Sequence, residues 1–68
     1  MEKGWIMIFT TSNLQEAEMI KGLLSEHDIA AVNLNKQSSA HLIGDIEIYV
    51  KNTDVIRAKQ LISKQQGN

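Results

Sequence analysis

The hydrophobic pattern predicts three strands. Residues 5–11, WIMIFTT, are rich in aromatic and β-branched residues and follow Gly4, as the start of a strand often does. Residues 45–50, DIEIYV, alternate strictly, with Ile46, Ile48 and Val50 on one side and Glu47 and Tyr49 on the other. Residues 28–35, DIAAVNLN, are less hydrophobic and predict a strand that ends in asparagines. The alternating segment is the clearest strand signal in the chain.

Two segments carry helical spacing instead. In the first, Leu14, Ala17, Ile20 and Leu24 share one face. Asn13 is a suitable N-cap with Glu16 three residues later, and Ser12 is the alternative cap. The second covers residues 52–66, and Asn52 or Thr53 can cap its start. Its apolar positions form one stripe: Val55, Ala58, Leu61 and Ile62. Gly22 interrupts the first helix, and we expect it to allow close approach to a strand. Each helix therefore has one face to bury.

The order strand, helix, strand, strand, helix predicts an α+β fold. A right-handed crossover leaves a gap between the first two strands that the third can enter. The expected sheet is antiparallel with the order 1-3-2 and both helices on one face. This is a ferredoxin-like split βαβ fold that lacks the usual fourth strand. We expect residues 1–68 to form one domain.

Composition narrows the possible functions. A chain of 68 residues buries only about 60% of its unfolded surface, so its core is small. It has no cysteine that could supplement that core with disulfides. Its net charge is −1, and its lysines and arginines are not clustered into the basic stripe that is typical of a phosphate-backbone binder. No apolar run approaches the ~20 residues of a membrane span, and no signal-peptide pattern follows the first residues. We expect a cytoplasmic protein with no membrane association.

These segments together resemble a known family. The residues that carry the resemblance are Glu16, Ala17, Glu18, Ile20, Leu23, Leu24, Ile29, Val50, Asp54 and Ala58. They resemble the putative prokaryotic signal-transducing proteins, small bacterial domains related in fold to the nitrogen-regulatory PII proteins. His27 and Asp28 replace the glycine that commonly ends the first helix in such sequences. The zinc-ribbon tail of some relatives is missing, so the resemblance implies regulation and no metal role.

The segment before the alternating strand is the one place where nucleophile chemistry could be sought. It contains Lys36, Gln37, Ser38, Ser39 and His41. A catalytic serine needs a base and an oxyanion hole on a rigid frame, whereas these residues share one short segment. We interpret residues 36–44 as an exposed hairpin connection and a candidate loop for a small-molecule effector or a partner. No metal or cofactor motif is present, so we expect neither a cofactor nor an enzyme.

The aromatic residues suggest an interaction surface. If the isoleucine side of the first strand faces the helices, then Trp5, Met7 and Phe9 stand on the open sheet face with Tyr49. The opposite phase, with Trp5 and Phe9 in the core, stays possible because a continuously apolar strand has no clear alternation. We expect the open face to bind protein. The alternative is single-stranded nucleic acid stacked on the aromatics, which Glu47 and the negative net charge disfavour.

The first strand is also a predicted sheet edge. Its segment WIMIF has no charge or proline, the residues that usually protect an edge from pairing with another chain. We therefore expect a homo-oligomer, a dimer in which two copies pair along this edge. The combined hypothesis is a small bacterial regulatory or adaptor domain that acts by protein association.

Overall fold

The computed structural model describes residues 3–35 and 46–65. The elements follow the predicted order: β1 (Trp5–Thr11), α1 (Leu14–Glu26), β2 (Ala31–Asn35), β3 (Ile46–Lys51), a 3₁₀ turn (Asn52–Asp54) and α2 (Val55–Gln65). The three strands form an antiparallel sheet with the order β1-β3-β2. The predicted α+β arrangement of ferredoxin-like type is confirmed.

The core lies between the sheet and the helices. Its buried residues are Ala17, Ile20, Leu24, Ile29, Ile46, Ile48, Val50, Ala58 and Ile62. The alternating residues of β3 thus face the helices, as their pattern predicted, and the alanines at positions 17 and 58 are fully buried. Two contacts fix the direction of the helices: Arg57 near the start of α2 reaches His27 after α1, and Gln65 at the end of α2 reaches Met19. The helices therefore run antiparallel over one face of the sheet.

A β-bulge interrupts β1. Met7 lies opposite Tyr49 and Phe9 lies opposite Ile48, so Ile8 is the extra residue between them. Residues opposite each other on antiparallel strands share a face. Phe9 therefore faces the helices, and both Phe9 and Ile8 pack against the core. The prediction that Phe9 stands on the open face with Trp5 and Met7 is wrong, because the bulge reverses the alternation after Met7.

The start of α1 is held by a relay through Thr11. The Asn13 side chain accepts a hydrogen bond from the Glu16 amide at 3.2 Å, as the predicted N-cap should. The Thr11 hydroxyl accepts from the Asn13 amide at 3.0 Å and donates to the Glu16 carboxylate at 2.6 Å. The hydroxyl thus links the two halves of the expected capping box.

Residues 28–30 close α1 and do not begin a strand. Ile29 donates to the carbonyl of Leu24 at 2.9 Å, and Asp28 donates to the carbonyl of Ser25 at 3.1 Å. This is the Schellman arrangement, and Asp28 supplies its left-handed residue with φ 61°. Strand β2 consequently starts at Ala31, three residues later than predicted. At α2, the 3₁₀ turn takes the place of the predicted cap by Asn52 or Thr53.

Candidate functional site

The open face of the sheet carries apolar side chains from all three strands. Its central row consists of Met7, Tyr49 and Val32, each opposite its neighbour across β1, β3 and β2. Trp5 and Leu34 extend this surface on either side of the row. Within residues 3–35 and 46–65, both helices lie on the other side of the sheet. We call the residues Trp5, Met7, Val32, Leu34 and Tyr49 the open-face patch.

Exposure supports this assignment. Met7 is 46% exposed, while Val32 and Leu34 are each 38% exposed, although all three belong to strands. Trp5 and Tyr49 are half-buried. The patch is therefore hydrophobic surface that the described part of the chain leaves in contact with water.

Strand β2 turns its apolar residues toward the open face and a polar residue toward the helices, the reverse of the usual arrangement. Val32 and Leu34 share the face of Tyr49 and Glu47, whereas Asn33 is opposite Ile48 on the helix side. The side-chain oxygen of Asn33 is buried and has no hydrogen-bond partner in the described part of the chain. A strand that turns asparagine inward and valine outward gives up folding stability. It enlarges the exposed apolar surface instead.

The charged groups on the open face flank its centre. Glu47 and Lys51 each lie two residues from Tyr49 on β3, so both share its face. The Tyr49 hydroxyl donates a hydrogen bond to the Glu47 carboxylate at 2.8 Å. This bond, followed by partial desolvation and the nearby negative charge, raises the pKa of Tyr49 above its ordinary value of 10.0. The phenol is therefore neutral at physiological pH.

A second concave surface lies on the helix side. A pocket of about 130 Å³ is lined by His27 after α1 and by one stripe of α2 that contains Arg57, Gln60, Leu61 and Lys64. The Arg57 guanidinium donates to the His27 carbonyl at 2.9 Å and lies 3.9 Å from the Asp54 carboxylate. The stripe arises because α2 brings every third or fourth residue to the same side. The pocket therefore joins the end of one helix to the flank of the other.

The predicted site residues divide into three groups. Trp5, Met7 and Tyr49 come together on the open face, while Phe9 lies on the opposite side of the sheet. The candidate effector loop, Lys36, Gln37, Ser38, Ser39 and His41, lies outside the described residues. Residues that sequence reasoning missed are Val32, Leu34, Arg57, Gln60 and Lys64. The spacing of the last three places them on one side of α2, but it does not indicate that His27 lies beside them.

Residues 3–35 and 46–65 contain no group of three or more histidine, cysteine, aspartate or glutamate side chains placed to hold a metal ion. Neither helix in those ranges has the length and apolar character needed to cross a membrane.

Comparison with known proteins gives one match. No curated protein and no solved structure matches the chain significantly. A family model described as "Putative prokaryotic signal transducing protein" matches residues 5–66, which include every described element. The resemblance predicted from the sequence is confirmed. The chain therefore belongs to the family of putative prokaryotic signal-transducing proteins.

Proposed function

We propose that this domain is a cytoplasmic regulatory or adaptor domain that acts in signal transduction by protein association, and not as an enzyme. The observation that carries the proposal is the row of Met7, Tyr49 and Val32 across a sheet face that residues 3–35 and 46–65 leave uncovered. A face of this kind costs stability unless a partner covers it. A small-molecule effector acting through residues 36–44, as in PII-like proteins, stays part of the hypothesis.

The partner that fits the open-face patch is a second copy of this chain. Two sheets can pack face to face about a twofold axis that lies between them. If the axis runs parallel to β3, Glu47 of one copy lies over Glu47 of the other. If the axis runs across the strands above Tyr49, Glu47 lies over the partner's Lys51, and the reverse contact follows by symmetry. Charge complementarity favours the second arrangement.

The expected affinity is low. Strands lie about 4.8 Å apart and rise about 3.3 Å per residue, so a patch three strands wide and five residues long covers roughly 15 by 17 Å. Stable interfaces bury about 800 Å² on each partner, well above this footprint. We therefore expect association that is reversible and concentration dependent, as signalling contacts commonly are.

Edge pairing is the other way in which two copies could meet. It would join the β1 strands of two copies into a sheet of six strands, as the sequence suggested. The bulge at Ile8 disfavours it, because a bulge twists an edge strand away from straight pairing. We therefore place self-association on the face, and the edge-paired dimer stays a prediction for the same experiment.

Nucleic acid is a weaker candidate for this surface. Stacking of bases would have to use Trp5 and Tyr49 alone, because Phe9 faces the helices. The Glu47 carboxylate beside Tyr49 would repel a phosphate backbone.

Analytical ultracentrifugation of single-lysine variants tests the proposal. Met7→Lys and Val32→Lys each place a charge in the central row. Both should raise the dissociation constant of self-association tenfold or more. Met19→Lys is the matched control, since Met19 is a half-exposed methionine of α1 at 52% exposure. Edge pairing along β1 predicts that Val32→Lys has no effect, since β2 is the other edge of the sheet. A native chain that stays monomeric at millimolar concentration would refute self-association.

A charge exchange tests the orientation of the two copies. Lys51→Glu and Glu47→Lys should each self-associate less than the native chain, because each variant opposes like charges. A mixture of the two variants should recover association, since each partner then supplies the charge that the other lacks. The single variants decide the orientation, because an axis parallel to β3 already opposes like charges in the native chain. Folded single variants that associate as strongly as the native chain would contradict the arrangement with the axis across the strands.

A further inference from the structure

The pocket between the end of α1 and α2 has a concentration of unused hydrogen-bond donors. The Arg57 guanidinium has five donor hydrogens, of which its contacts with the His27 carbonyl and Asp54 engage only part. In the described part of the chain, the side chains of His27, Gln60 and Lys64 make no hydrogen bond or ion pair. Four donor side chains thus converge on one concavity.

The number of donors distinguishes between possible anions. A carboxylate has two oxygens to be bound, whereas a phosphate monoester has three at its periphery. A pocket of 130 Å³ corresponds to roughly four waters at about 30 Å³ each, which is room for a group of phosphate size. The guanidinium fork of Arg57 and the point charge of Lys64 are the two donor types that proteins use for phosphate.

We propose that this pocket binds the phosphate group of a small-molecule effector. Leu61 provides the apolar contact for the organic part of such a ligand, because it lines the same pocket beside Gln60. Asp54 and the negative end of α1 oppose an anion, so the affinity is moderate and depends on salt. The proposal rests on the proposed function only in naming the ligand an effector. Binding is independent of the sheet face, which lies on the other side of the molecule.

An NMR titration of the isotope-labelled full chain tests this assignment. Inorganic phosphate, glycerol phosphate and acetate are added separately at constant ionic strength. Phosphate should shift the amide signals of residues 27–28 and 57–64 saturably, and acetate should not. Tighter binding of glycerol phosphate than of free phosphate would identify an ester as the ligand, and the reverse would identify the free ion. Equal binding of acetate, or the absence of saturable shifts, would overturn the proposal.

Matched lysine variants separate a site from general charge. Lys64→Ala should weaken phosphate binding about tenfold, as expected for a lost charge-assisted hydrogen bond. Lys59→Ala removes the same charge from an exposed position of α2 outside the pocket and should leave binding unchanged. Arg57→Lys keeps the charge but loses the fork, and it should weaken phosphate binding. Equal losses of phosphate affinity in Lys64→Ala and Lys59→Ala would mean that binding depends only on the net charge of the chain. The titration is repeated on Met7→Lys, so that failure of self-association and failure of phosphate binding are read separately.

Discussion

The Tyr49 phenol donates a hydrogen bond to the Glu47 carboxylate two residues earlier on the same strand, over 2.8 Å. Ionisation of the phenol would remove the donated proton and place two negative charges side by side, which is why the pKa of Tyr49 is raised from 10.0. Glu47→Gln removes the charge, so the pKa should fall toward the ordinary value. Tyr49 is the one tyrosine in the chain, so the ultraviolet absorbance of its phenolate measures this directly.

The same pair makes stability depend on alkaline pH. The folded chain holds the phenol proton more tightly than the unfolded chain does, because the pKa is raised in the folded state. The stability that the Tyr49–Glu47 pair contributes is therefore complete below pH 10.0, and it is lost as the pH rises through the pKa of Tyr49 in the folded chain. Urea unfolding above pH 10.0 should show a smaller pH-dependent loss for Glu47→Gln than for the native chain. Identical pH profiles would mean that the hydrogen bond does not form in solution.

The bulge at Ile8 predicts unequal roles for two aromatic residues of β1. Phe9 packs against the core, so Phe9→Ala should lower the free energy of unfolding by about 2 kcal/mol, less than for a fully buried phenylalanine. Trp5 is on the open face, so Trp5→Ala should lower it by about 1 kcal/mol or less. Urea unfolding followed by circular dichroism compares the two without needing tryptophan fluorescence. Equal losses would contradict the change of face between Met7 and Phe9.

These strands show where sequence patterns were sufficient. In β3, charged and aromatic residues alternate with Ile46, Ile48 and Val50, so burial of one side decides the register. In β1, every residue from Trp5 to Phe9 is apolar, and no local signal marks Ile8 as the extra residue. Its position follows from packing, because the bulge brings both Ile8 and Phe9 to the core. Tertiary contacts thus decided what local alternation could not.

Strand β2 and the pocket were harder to predict for a different reason. The rule that apolar residues face inward would turn Val32 and Leu34 to the core, but pairing with β3 turns them outward. The preceding Schellman turn at Asp28 sets where β2 begins, and thus which residue meets Tyr49. The pocket combines His27 with α2 residues thirty or more positions away. Such a site depends on helix packing, which spacing within a single segment does not report.

Two glycines should respond to alanine in opposite directions. Gly22 was expected to allow close approach to a strand, but a Cβ placed there meets nothing within 4 Å and the residue is exposed. Gly22→Ala should therefore stabilise α1 by about 1 kcal/mol, the difference in helix propensity. Gly4 has φ 89°, and its carbonyl accepts a 2.7 Å hydrogen bond from Asn52. Gly4→Ala should destabilise the chain by roughly 1 kcal/mol, because the left-handed region is unfavourable for alanine. Urea unfolding measures both, and a loss of stability in Gly22→Ala would indicate a packing role for that position.

The left-handed residue after α1 gives the last prediction. Asp28 adopts φ 61° to complete the Schellman turn, and the buried pair Leu24 and Ile29 packs across that turn. Asp28→Gly should stabilise the chain by about 0.5 kcal/mol, because glycine removes the Cβ strain but loses more entropy on folding. Asp28→Ala should destabilise it by about 0.5 to 1 kcal/mol, since alanine tolerates this conformation less well than aspartate. Both substitutions remove the negative charge near the C-terminus of α1, so their difference in urea unfolding isolates the backbone effect. If alanine were as stabilising as glycine, the charge and not the backbone conformation would govern this position.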